Sequence, residues 1–109
     1  MAEDRLPAHL EVSGLIRAVN AEGGFATVLA KGERDAGTLL VICCESGIQA
    51  QLYERMPQLD GTRKWILSKS QDNDKKQEFT DYCDRRKRQD PDLWIVELDI
   101  ADAARFIPN

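Results

Sequence analysis

GTLLVICCE, residues 37–45, decides how the rest of the chain is read. From Leu39 to Cys44 every side chain is apolar, and successive side chains of a β-strand point to opposite faces. A run that is apolar on both faces belongs in the middle of a sheet. Upstream, FATVLAK (25–31) is a second strand candidate, separated from the first by the turn-like loop GERDAG (32–37). Downstream, IQAQLYER (48–55) alternates, with Ile48, Ala50 and Leu52 on one face and Gln49, Gln51 and Tyr53 on the other. That pattern predicts a sheet with one face in water. The loop MPQLDG carries Pro57 and an Asp60-Gly61 turn signal, and a shorter strand, TRKWILS (62–68), follows. Connections this short make an antiparallel meander the simplest arrangement of the four strands.

Helical periodicity brackets this block. Between Leu6 and Glu22, Val12, Leu15, Ile16 and Val19 fall at i, i+3, i+4 and i+7, one stripe of an α-helix. Pro7 suits its first turn, and Gly23-Gly24 stops it. The polar stretch SQDNDKKQEFTDYCDRRKRQD carries a narrower stripe of Phe79, Tyr82 and Cys83. Asp72 or Asp74 caps its start, Asp74 and Gln77 approximate a capping box, and Pro91 ends it. LWIVELDI (93–100) then reads as a last strand, with Trp94, Val96, Leu98 and Ile100 on one face. Both Trp65 and Trp94 sit in strand-like alternation and are expected in the core. The expectation is an α+β fold in the order α-β-β-β-β-α-β, a single domain over residues 1–109. It has an antiparallel sheet of four to five strands and two helices packed on one face.

Net charge of −4 argues against a whole-surface attraction to nucleic acid or anionic lipid. No apolar run approaches a membrane span, and MAEDRLPAHL is too polar for a secretory signal, so the location is read as cytoplasmic. Three cysteines, Cys43, Cys44 and Cys83, form an odd set read as reduced thiols. Adjacent strand residues face apart, so Cys43 and Cys44 do not chelate one metal together.

Two polar features stand out. Arg85, Arg86, Lys87 and Arg88 form a basic patch at the end of the second helix, where cations complement the helix dipole. Between Asp72 and Asp92, however, seven acids face six bases. The GERDAG loop offers Glu33 and Asp35 to a cation and Arg34 to a carboxylate or phosphate. Two carboxylates fall short of a calcium site, and no phosphate-binding glycine pattern occurs. His9 is the single histidine.

GERDAG followed by TLLVICC, with DPDLWIVELD near the C-terminus, resembles an uncharacterised bacterial family catalogued as domain of unknown function 1491. The likeness covers nearly the whole chain. Glu33 departs from the Gly-Asp-x-Asp-Ala-Gly form of the loop in that family. The resemblance implies a compact domain and brings no activity, ligand or catalytic residue. The preferred reading is a small cytoplasmic non-enzymatic accessory or protein-interaction module, with a protein partner or self-association as a homodimer. No catalytic residue, metal or cofactor is assigned. One alternative is a nucleic-acid binder using residues 85–88. The other is a small enzyme with a site near the 32–37 loop, assembled from His9, a cysteine and the loop acids.

Overall fold

The computed structural model describes residues 6–107, so the opening MAEDR, part of the stretch read as too polar for a secretory signal, lies outside it. At its centre β2 (Leu39–Glu45) and β5 (Trp94–Asp99) pair in parallel, Leu39 opposite Trp94 and Cys44 opposite Asp99. β1 (Phe25–Ala30) runs antiparallel along the other side of β5. β3 (Ile48–Pro57) and β4 (Arg63–Ser70) continue antiparallel beyond β2, giving the order β1-β5-β2-β3-β4. The fold is α+β, a five-stranded, mostly antiparallel sheet with two helices, in the expected element order.

The meander expectation fails at one joint. β1 and β2 are not neighbours, because the last strand inserts between them. Its residues Leu93 to Val96 are buried on both faces, as Leu39 to Cys44 are, and two such strands are most fully covered side by side in the interior.

Expected packing on one face is likewise overturned. α1 (Ala8–Ala21) and α2 (Lys76–Gln89) lie on opposite faces of the sheet. Ala8, Val12 and Val19 of α1 cover Leu39, Val41 and Cys43 together with Trp94, Val96 and Leu98. Phe79 and Cys83 of α2 cover Leu40, Ile42 and Cys44 together with Leu93 and Ile95. Strands apolar on both faces need cover on both, and one layer of helices supplies only one. The polar side of IQAQLYER therefore does not face water alone: Tyr53 packs into the α1 core. Trp94 is buried, whereas Trp65 is half-buried at the rim of the same core.

At the start of α2, Asp72 caps a 3-10 turn (Asn73–Lys75), its carboxylate accepting from Asp74 N. The residue preceding α2 itself is Lys75, so the Asp74 capping box does not form.

Adjacent residues of β3 tie down the two helices. Arg55 donates through Nη1 and Nη2 to Glu11 of α1, at 2.8 and 2.9 Å, and lies 5.0 Å from the Trp65 ring centroid. Glu54, only 8% exposed, accepts on the other face from Ser68 Oγ at 2.7 Å, Tyr82 OH at 3.0 Å and Arg86 of α2. Burial pushes the Glu54 carboxyl upward, but the bonds from Arg86, Ser68 and Tyr82 outweigh it and hold it below the usual value. Its contribution to stability is therefore present above 4.5, the ordinary carboxyl value, and is lost as pH falls through the lowered folded value. Glu54→Ala should lower the unfolding free energy at neutral pH by about 3 kcal/mol, since it strands a half-buried guanidinium. Urea titrations at neutral and acid pH check this; the gap between variant and parent should narrow on the acid side.

Candidate functional site

The 32–37 loop is built into the fold. Gly32 and Gly37 lie so close to the Asp92 carbonyl that a methyl group on either would overlap it. Glu33 N donates to Asp92 O at 2.9 Å, and Trp94 Nε1 donates to Glu33 O at 2.7 Å. On its other side the loop receives α1, with Ala8 N donating to Asp35 O at 3.0 Å and His9 N to Arg34 O at 2.9 Å. His9 Nδ1 donates to that same oxygen at 3.0 Å. The Glu33 carboxylate turns back to accept from Asp35 N and Ala36 N, while the Arg34 and Asp35 side chains stand 75% and 68% exposed. His9 and the loop thus come together, but the cysteines do not join them. Cys43 and Cys44 sit at the far end of β2, roughly 17 Å along the strand from Thr38. Among the described residues, no group of three or more His, Cys, Asp or Glu is placed to hold a metal ion.

The basic patch divides. Arg86 is bound to Glu54 and Tyr82. Lys87 Nζ donates to Lys31 O, Pro91 O and Leu93 O at 2.8–2.9 Å, binding the helix end to the loop and to the start of β5. Arg85 is exposed, with its guanidinium 5.6 Å from the Tyr82 ring centroid, and Arg88 is exposed as well.

A cleft of about 310 Å³ lies under the flank of α2 that faces β1 and β5. Beside Phe79 and Cys83, the helix presents Thr80, Asp84 and Lys87 to it, at i, i+4 and i+7, and these polar side chains leave the space unfilled. Small residues, Ala30, Cys44, Gly47 and Ala50, line it from the sheet side. Glu97 lies between Ile95 and Asp99 on the α2 face of β5, and its carboxyl is pushed up by burial and then by Asp99. Cys83 also lines this cleft. Burial raises all three thiols: Cys43 to about 12, with Cys44 adding to it, and Cys44 to about 11, with Glu97 and Asp99 adding to it. Sequence reasoning missed Glu97 and the convergence of Cys44 with Cys83. The available signal was the pair of acids in LWIVELD, Glu97 and Asp99, on the face opposite Trp94, Val96 and Leu98.

The two edges of the sheet differ. β1, FATVLA, carries no charge, and Phe25, Val28 and Leu29 are exposed on it. β4, RKWILSKS, carries Arg63, Lys64 and Lys69.

A family model described as a protein of unknown function (DUF1491) matches residues 6–108. The chain belongs to the DUF1491 family. Among solved structures it is similar to a DUF1491 family protein from Caulobacter crescentus CB15. The crystal structure of that protein is 32% identical, covers 96% of this chain and 97% of its own, and gives a TM-score of 0.82. The NMR structure of a DUF1491 family protein from the same organism gives 0.80 at 32% identity, with 95% and 94% covered. The solution structure of protein Atu0922 from A. tumefaciens gives 0.75 at 29% identity, with 94% and 92% covered. No curated protein matches. The residues that carry the family resemblance, GERDAG and DPDLW, are the two segments locked together by Gly32, Gly37 and Trp94. Among the described residues of this DUF1491 protein, no helix is long and apolar enough to cross a membrane.

Two outcomes are expected. All three thiols should resist a chromogenic disulfide reagent in the native protein at mildly alkaline pH and react together after unfolding in urea; rapid native labelling would contradict the burial. A raised folded carboxyl value means that Glu97 favours folding below 4.5 and loses that contribution as pH rises through the folded value. Glu97→Gln should therefore raise the midpoint of thermal unfolding at neutral pH, with the gain disappearing below 4.5.

Proposed function

We propose that this DUF1491 protein is a small cytoplasmic, non-enzymatic interaction module that pairs its β1 edge with the β1 edge of a second copy. The observation that carries this reading is the contrast between the two sheet edges. Exposed edge strands offer unpaired backbone groups to any other strand, and proteins commonly guard them with lysine, other charges or proline. β4 carries such guards in Lys64 and Lys69, whereas β1 has neither charge nor proline. Its first residue, Phe25, is 74% exposed, a large apolar surface for a strand end.

Self-pairing suits this strand. An antiparallel β1–β1 contact about a twofold axis is isologous, so each contact occurs twice and no complementary charge is needed. Backbone pairing gives affinity, and the outward side chains give selectivity. The bulge between Val28 and Ala30 limits regular pairing to the Phe25–Val28 portion, which places Thr27 near the axis.

Sedimentation velocity over a concentration series tests the reading. The parent protein should dimerise reversibly. Thr27→Lys, which gives β1 the guard that β4 already has, should be monomeric, with a thermal midpoint that matches the parent's at dilutions where the parent is also monomeric. A parent protein that stays monomeric at millimolar concentration removes the proposal.

A further inference from the structure

We propose that the cleft beneath α2 is a binding site for a small apolar molecule bearing a cationic amine, its apolar body against Ile42, Phe79 and Ile95 and its amine toward Glu97. The cleft volume of about 310 Å³ falls at the lower end of the range for small-molecule sites. Its composition matches such sites, with apolar walls and a few polar groups. An accessory protein without a ligand gains nothing from a space of this size next to its core, where filling side chains would add contacts.

Charge selects the ligand class. The acids Glu97 and Asp84 line the cleft, and Asp99 stands beside Glu97 on the same face of β5. Lys87 is the one cation among the described lining residues, and its ammonium is turned into the carbonyls of Lys31, Pro91 and Leu93. Asp99 accepts from Ser46 N at 2.7 Å, which leaves Glu97 and Asp84 without a matching cation in the described lining. Gln71, also in the lining, supplies a further acceptor, since its Oε1 is buried with no hydrogen-bond partner among the described residues. A buried acceptor left unpaired costs stability, and it adds to the excess of acceptors over donors in the cleft. An ammonium near Glu97 offsets the burial, and then the repulsion from Asp99, that raise the Glu97 carboxyl. An anionic ligand meets the same acids as like charges.

Titrations of the isotope-labelled full-length protein, followed by amide chemical shifts, distinguish these cases. The probes are 2-phenylethylamine, its neutral analogue 2-phenylethanol and the anion 3-phenylpropionate. The amine should shift the amides of Leu29, Cys44, Cys83 and Glu97 as one saturable set, and bind more tightly than the alcohol, with the anion weakest. Glu97→Gln should weaken the amine about tenfold, the scale of one charged hydrogen bond, and leave the alcohol unchanged. Ala50→Leu, which fills the cleft from the sheet side, should abolish binding of both amine and alcohol while the protein stays folded. Equal affinity for amine and anion, shifts scattered away from the cleft, no binding at all, or an unchanged amine affinity in Glu97→Gln would each overturn the proposal. None of these results depends on the oligomeric state.

Discussion

Everything in this fold hangs on the parallel ladder between β2 and β5. Leu39 to Cys44 and Leu93 to Val96 are buried on both faces, so the pair forms two cores at once. Burial of apolar surface is the dominant favourable term in folding, and neither core is complete without its own helix. The placement of α1 and α2 on opposite faces follows, as does the relegation of β1 and β4 to the edges. The unequal helices then set what remains open. α1 buries Ala8, Val12 and Val19 and packs Leu15 and Ile16 beside them, whereas α2 buries Phe79 and Cys83 with Tyr82 beside them and leaves a cleft along its flank.

The polar loop that looked most like a site has a mechanical role. Pro7 precedes α1 without a side-chain cap, and the first helical amides instead donate to the carbonyls of Arg34 and Asp35. The same loop rests on Asp92 and holds the Trp94 indole. Lys87 completes the junction from the end of α2. One short loop therefore joins the start of α1, the end of α2 and the start of both central strands.

Much of this was legible in the chain. The stripe of Val12, Leu15, Ile16 and Val19, the glycine stop after it and the two-sided run of β2 all gave elements of the right kind in the right order. Strand order was not legible from local spacing, because hairpin-length connections cannot reveal that a distant strand inserts between two neighbours. One clue was present, the unbroken apolar run Leu93-Trp94-Ile95-Val96, which has the same two-sided character as Leu39 to Cys44. The helix faces were misjudged for the same reason. The cleft depends on which flank of α2 turns toward β1, a tertiary fact that Thr80 and Asp84 do not announce. Likewise, RRKR shows four cations alike, and only the fold separates Arg86 and Lys87, engaged with Glu54 and three carbonyls, from Arg85 and Arg88.

The neighbouring ion pairs of β3 carry an implication for strand alignment. Because side chains alternate along a strand, sliding β3 by one residue exchanges the faces of Glu54 and Arg55. A slide in one direction brings Glu54 to Glu11, and a slide in the other brings Arg55 to Arg86, so either shift breaks both half-buried attractive contacts and forms one repulsive one. The dipeptide therefore acts as a key cut for one offset, admitting the strand only when both helices meet their opposite charge.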